Sequence, residues 1–289
     1  MNIINETVTD NKQRSRKNRR VIFFLSLLSV FILFLLSCMK FSADPEKALW
    51  PEEGSYVVQD GNLVVDISNI SQGYFFARVA WQTSSKLKLR VVIGNTTLDY
   101  DLPGTGDSIV VPLQMGTGYY EATLYENVSG KKYAAAGYVG FWAELEREDI
   151  AFLYPNQYVD YDLLSKAVEQ AEILCAGKSD RDVYNTVCKF VTSSFVYDFI
   201  KALSVKPGML PDIEETFQKK MGVCQDLSAV TCCMLRTQGI PARLIIGYAD
   251  DNYHAWVVTE LDGEELFFDP TAELNAISKV LEYTVERFY

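Results

Sequence analysis

The feature that most constrains this chain is a change of hydrophobic period about halfway along it. Between residues 55 and 145 the apolar side chains fall in short runs rich in β-branched and aromatic residues: Leu63–Ile67, Tyr74–Val79, Leu87–Ile93, Ser108–Leu113 and Tyr119–Tyr125. Turn-forming residues separate the runs at Asp60-Gly61-Asn62, Ser84-Ser85, Gly94-Asn95, Pro103–Gly106 and Gly116-Thr117-Gly118. Short strands punctuated in this way predict an antiparallel β-sandwich of immunoglobulin-like type over residues 55–145. No catalytic constellation occurs there. Its aromatics, Trp81 and Tyr119 among them, read as core or cross-strand packing rather than a ligand box. A binding or spacer role follows for this domain.

After Glu144 the period becomes helical. Leu164, Ala167, Val168, Ala171 and Leu174 recur at spacings of three and four, which predicts a helix over Tyr161–Cys175 stopped by Gly177. A second helix is expected over Asp180–Val196, with Val183, Val187, Phe190 and Val191 on one face and Asp180 as N-cap. Lys206–Pro211 is a loop, and Asp212-Ile213-Glu214-Glu215 has capping-box spacing for a short helix reaching Lys220. At 289 residues the chain is long enough for two modest domains, each with its own core.

Ahead of both lies an address. Val21–Leu36 is apolar except for Ser26 and Ser29, short for a bilayer span and at the long end for a signal-peptide core. Leu35-Leu36-Ser37-Cys38 resembles the lipobox of bacterial lipoproteins, in which the chain is cut before a cysteine that is then acylated. Residues 1–37 are therefore a signal peptide preceding a lipidated Cys38, or an uncleaved membrane anchor. In either case residues 38–54 form a tether, and the rest is held at the extracellular face of the cell membrane. The segment before the apolar run carries Lys12, Arg14, Arg16, Lys17, Arg19 and Arg20 against Glu6 and Asp10, so the remainder is more acidic than the chain's overall −11. A body of that charge repels phosphate backbones, which excludes nucleic acid as a partner.

Chemistry concentrates in the last 80 or so residues of the sequence. Gly222-Val223-Cys224-Gln225-Asp226 leads into an apolar helix running to Arg236 or Thr237 and stopped by Gly239 and Pro241. Cys224 thus sits at a helix N-terminus, where unpaired N–H groups and the positive end of the dipole favour a thiolate. A free thiol of pKa about 8.5 is only slightly ionised at neutral pH, so a catalytic one needs a cationic neighbour. The chain has one histidine, His254, on the strand-like Tyr253–Val258. Asp269 ends the next strand-like run, and Asp262-Gly263 between them is a hairpin signal that brings the two strands side by side. A carboxylate there would fix the tautomer and orientation of the imidazole. Cys175 and Cys188 read as buried small hydrophobes on helices, and an odd cysteine count after Cys38 leaves at least one free thiol.

The blocks Gly222-Val223-Cys224-Gln225-Asp226, Gly239-Ile240-Pro241-Ala242-Arg243, Tyr253-His254-Ala255-Trp256 and Phe268-Asp269-Pro270-Thr271, in this order, resemble the core of the transglutaminase-like superfamily. The resemblance covers residues 150–289. It implies an α+β papain-like fold with Cys224 as nucleophile, His254 as general base and Asp269 as orienting carboxylate. Asp226 and Gly239–Arg243 match structural residues of that family, and Tyr197 is the candidate for a second oxyanion donor beside the Cys224 backbone N–H. The activity implied is acyl transfer from a carboxamide or peptide bond, as a peptidase or amidase acting on a protein, a peptide or cell-wall peptide. Two alternatives remain open: glutamine cross-linking by transfer to an amine, and a non-catalytic surface module that binds peptide or wall polymer. No metal or organic cofactor is expected. A single imidazole and the lack of any Cys-x-x-Cys pair leave no basis for a zinc site, no EF-hand-like loop is present, and Asp250-Asp251 reads as a solvated loop.

Overall fold

The computed structural model describes residues 48–289 apart from Pro207 and Ser278; Cys38 and the apolar Val21–Leu36 lie outside the described residues. Among the described residues no helix is long and apolar enough to cross a membrane. The architecture is mixed α/β, with three four-stranded antiparallel sheets and a set of helices.

Two of the sheets come from the N-terminal half. The first runs in the order β1 (Val57–Asp60), β2 (Leu63–Asp66), β3 (Tyr74–Val79), β6 (Ile109–Pro112). The second runs β5 (Thr96–Leu102), β4 (Leu87–Ile93), β7 (Gly118–Ser129), β8 (Lys132–Ala143). Alternation selects the buried faces: on β4, Leu87, Leu89 and Val91 are inside, while Arg90 points out and pairs with Asp99 across the ladder at 2.8 Å. The two sheets meet through side chains such as Phe75 and Phe141, whose rings pack edge to face at 5.3 Å. Gly137 permits the approach, because a Cβ there would lie 2.7 Å from Leu63 Cβ and 2.3 Å from the Asp60 carbonyl oxygen.

The aromatics expected in core or cross-strand packing divide between the two faces of the sheet. Tyr120 is buried, but Tyr119 is 49% exposed on the outer face of β7, opposite Trp142 of β8. Trp81, just past the end of β3, is 57% exposed. The same alternation that turns Tyr120, Ala122 and Leu124 inward turns Tyr119 out.

Helix α1 (Lys166–Cys175) begins five residues later than the apolar spacing predicts. The Asp162 carboxylate accepts hydrogen bonds from the Leu164 N–H (2.8 Å) and the Ser165 hydroxyl (3.1 Å), a local turn that competes with helix and leaves Leu164 on the surface. Helix α2 (Asp180–Ser194) buries Val183, Val187 and Val191, and its cap is Ser179, not Asp180. The short α3 (Phe199–Ala202) follows β9 (Val196–Tyr197). Asp212 caps α4 (Ile213–Lys219) by accepting from the Glu215 N–H at 2.8 Å. β10 (Met221–Gly222) pairs in parallel with β9 and leads into α5 (Cys224–Arg236).

The third sheet runs β13 (Glu264–Phe268), β12 (Asn252–Leu261), β11 (Ala242–Ala249), β14 (Tyr283–Phe288), with α6 (Pro270–Leu274) between β13 and β14. The β12–β13 hairpin turns on Asp262 and Gly263, both with positive φ (57° and 76°), as a type I′ turn requires. Helix α5 is buried from Asp226 to Arg236, packed between α1, α2 and α4 on one side and β11 and β12 on the other.

Arg236, at the end of α5, is wholly buried and has only carbonyl partners. It donates to Ala242 O through Nε (3.0 Å) and Nη2 (2.7 Å), to Tyr154 O through Nη1 (2.7 Å) and to Tyr289 O through Nη2 (2.8 Å). Tyr289 in turn stacks on Tyr158 at 3.6 Å and meets Tyr100 of β5 edge on at 6.2 Å, and Gln114 donates to the Phe288 carbonyl. One apolar core therefore runs from Leu63 to Tyr289. Replacing Arg236 with Met takes its donors from the buried Tyr154 and Ala242 carbonyls, each worth about 1–3 kcal/mol, while the Tyr289 oxygen keeps the Leu244 N–H at 2.8 Å. The expected loss of roughly 3 kcal/mol or more lowers the thermal midpoint by about 6–12 °C. Arg90→Ala, which removes only an exposed ion pair, should move it far less in the same thermal unfolding measurement.

Candidate active site

Cys224 owes its position to the entry of α5. The Val223 N–H donates to the Asp226 carboxylate at 3.0 Å, so the side chain of the first turn reaches back to cap the residue before it. Asp226 is fully buried and takes a second partner, the Lys201 ammonium of α3, at 2.7 Å. Gly222 makes room for this arrangement, because a Cβ there would lie 2.8 Å from Asp226 Cβ and 2.9 Å from Thr216 Cγ2. The parallel β9–β10 pair sets Tyr197 opposite Gly222, two residues before the thiol. Cys224 remains partly exposed, whereas Cys232 and Cys233, further along the same helix, are sealed in the core. Burial pushes the Cys232 thiol up to about 12 and Cys233 well above its ordinary value, and it likewise pushes Cys188 on α2 up to about 12.

His254 lies on β12 opposite Gly247 of β11. β13 ends at Phe268, opposite Val257, and Asp269 becomes the N-cap of α6. Asp269 Oδ1 accepts from the Thr271 and Ala272 N–H groups at 2.9 and 3.0 Å. Its Oδ2 lies 2.7 Å from His254 Nε2 and accepts from the Tyr283 hydroxyl at 2.8 Å. An ionised carboxylate accepts only, so the proton between ring and carboxylate belongs to Nε2. The Cys224 thiol lies beside the same ring, close enough to raise its pKa, and Nδ1 is the nitrogen left free to meet it. Trp256 stacks near His254 and packs edge on against Tyr283 at 5.0 Å, which closes the ring in from behind.

The charges of this group are coupled. Burial alone would depress the imidazole, but the hydrogen bond it donates to Asp269, the contact with Cys224 and the negative charge of both outweigh it, and the pKa is raised to about 9. Asp269 shows the converse. Burial pushes it up, yet the bond and charge of His254, the Ala272 N–H and the Tyr283 hydroxyl hold it below the usual carboxylate range. The site is therefore built to keep an imidazolium beside a carboxylate and a thiol.

A cleft of about 660 Å³ opens over Cys224 and His254, bordered by Tyr158, Tyr197, Met209, Tyr248, Tyr253 and Arg287. Tyr197 is near enough to Cys224 that, after burial, the charge of the thiol is the next cause raising its hydroxyl. Cys224, His254, Asp269 and Tyr197 are thus brought to one place. Two contributors have no counterpart in the sequence reading: Tyr283, the second donor to Asp269 Oδ2, and Arg287, both on β14. The alternation along Tyr283–Phe288 was the available signal for that strand. Among the described residues no group of three or more His, Cys, Asp or Glu side chains is placed to hold a metal ion.

Because His254 is the only histidine, its ring resonances titrate alone in an NMR experiment. The imidazolium should persist to about pH 9 and be lost above it. Asp269→Asn removes the carboxylate that raises the value, so the midpoint should fall toward the ordinary imidazole value of about 6.5. The stability contributed by the raised pKa is complete below that ordinary value and is lost as pH rises through about 9.

Residues 170–268 match the sequence model of the transglutaminase-like superfamily; the match takes in Cys224 and His254 and ends one residue before Asp269. No curated protein matches the chain. Among solved structures, the chain is similar to a protein of Cytophaga hutchinsonii described as a "putative cysteine protease", at 16% identity and TM-score 0.38, over 75% of this chain and 83% of that one. It is similar to a protein of Parabacteroides distasonis described as a "putative protease", at 14% identity and TM-score 0.30, over 64% and 37%. It is also similar to red sea bream transglutaminase, at 14% identity and TM-score 0.31, over 83% and 51%. This chain therefore spans about half or less of the length of the last two. Residues 170–268 are a transglutaminase-like domain.

Proposed function

We propose that the protein is a thiol acyl-transfer enzyme that hydrolyses carboxamide or peptide bonds, with Cys224 as nucleophile, His254 as proton shuttle and Asp269 as the group that orients the ring. The observation that carries this reading is the His254 ring bonded to a carboxylate that three further donors fix in place, with the Cys224 thiol on the ring's other side. The Cys224 sulfur attacks the carbonyl carbon as its proton rests on His254. Collapse of the tetrahedral adduct breaks the C–N bond, and the imidazolium gives its proton to the departing amine. Water then attacks the thioester, passing a proton to His254, and the acid leaves as the thiol is restored. The Cys224 backbone N–H, first in α5 and without a helical acceptor, supplies one oxyanion donor, and the Tyr197 hydroxyl supplies the second.

The substrate class in this reading is protein or peptide, including cell-wall peptide, since the cleft volume suits a few residues of extended chain. The two N-terminal sheets form an immunoglobulin-like sandwich that acts as a spacer or binding domain. The enzyme works at the outer face of the membrane, tethered through residues 1–37 or through lipid on Cys38. Incubation of the purified protein with a peptide mixture should release fragments, at a rate reduced at least about 10³-fold by Cys224→Ala. A fluorescent amine should not be incorporated into a glutamine-bearing acceptor protein. Cysteine-dependent incorporation would overturn hydrolysis in favour of cross-linking.

A further inference from the structure

The cleft over Cys224 contains an arginine that the steps above do not use. Arg287, on β14 opposite Ile246 of β11, borders the cleft together with Ile246, Tyr253 and His254. Its Nη2 donates to the Tyr253 hydroxyl at 2.5 Å, and its Nε is buried without an acceptor. Among the described residues no carboxylate lies within ion-pair distance of it. Glu286, its neighbour on the strand, also borders the cleft but does not bridge to it.

Among the described residues Arg78 and Arg243 also lack a carboxylate, but Arg78 donates to the Val79 carbonyl, Arg243 lies over the Phe152 ring, and neither borders this cleft. Acidic residues outnumber basic ones 38 to 27, and Arg90, Arg147 and Arg181 each pair with a carboxylate. Arg236, the one wholly buried guanidinium among the described residues, is satisfied by backbone oxygens. A partly desolvated guanidinium with one buried N–H unmatched, and no carboxylate beside it, gains most from a planar anion that accepts two of its N–H groups. Lys206 on the facing loop adds a second cation, so Lys206 and Arg287 outnumber Glu286 among the fixed charges of the cleft wall.

We propose that Arg287 is a carboxylate receptor and that the acyl substrate carries a carboxylate within reach of the cleft. This rests on the catalytic reading of Cys224. The carboxylate comes from a peptide's free C-terminus or from an acidic side chain, and the chemistry of recognition is the same for both.

Three affinity alkylators separate the possibilities: bromoacetyl-Ala-Ala with a free C-terminus, the same compound as its C-terminal amide, and bromoacetyl-Ala-Glu amide. The rate of Cys224 modification is read by mass spectrometry on the full protein. At least one carboxylate-bearing reagent should react about tenfold or more faster than the neutral one, the size expected of a charged hydrogen bond. Whichever does so identifies the source of the carboxylate. Arg287→Gln should bring the ratio of rates close to one, and Arg287→Lys, which keeps the charge but loses the planar fork, should retain part of it. The ratio is internal to each variant, so a loss of folded protein does not imitate the effect. Rapid labelling of the wild type with no preference, or a preference that survives in Arg287→Gln, would overturn this inference alone. Labelling at the rate of an ordinary thiol by all three reagents would overturn the catalytic reading and this inference with it.

Discussion

A buried guanidinium bonded to the backbone oxygens of three separate segments holds the site in register. Burying a charge is expensive unless its hydrogen bonds are all made, and Arg236 makes them to the backbone of three segments far apart in sequence. Tyr154 belongs to the connection that follows the N-terminal sheets, Ala242 begins β11, and Tyr289 is the last residue. The C-terminal end of α5 is thereby fixed to the start of β11 and to the end of β14. Its other end carries Cys224, and β12, which carries His254, is the next strand in the same sheet. The distance between thiol and imidazole thus depends on a helix held at one end by Arg236 and entered at the other through the Asp226 cap.

The second constraint is the saturation of Asp269. A carboxylate that also caps a helix cannot turn without uncapping it, so the ring it holds is oriented by secondary structure rather than by a flexible side chain. Tyr283 strengthens the arrangement and ties β14 to it, and β14 also carries Arg287. The C-terminal strand therefore serves the core through Tyr289, the ion pair through Tyr283 and the cleft through Arg287.

Much of this was legible in the order of residues. β3 and β4 have the bounds of the β-branched and aromatic runs that predict them, and the start of α5 and the Asp262-Gly263 turn lie where the apolar run after Gly222 and the hairpin signal place them. The nearness of Cys224, His254 and Asp269 followed from a helix start, a strand and a hairpin, all local signals. What was not legible had no local signal of its own. β8 is Ala- and Gly-rich in Ala134–Gly137 and Gly140, a poor strand by propensity, and is held by β7 and by the close approach of Leu63. β5 alternates Thr, Leu, Asp and Tyr and was hidden by its many polar residues. The late start of α1 came from one aspartate that bonds its own turn. The role of Arg236 and the join between Tyr283 and Asp269 are tertiary, and spacing along the chain does not report them.

The most direct test of the account is the rate of Cys224 alkylation as a function of pH, in the wild type and in His254→Ala. With only one imidazole in the chain, the variant removes the entire proposed base. The account predicts a rate that stays high below pH 7 in the wild type and collapses in the variant. A rate that follows an ordinary thiol of pKa about 8.5 in both proteins would contradict it.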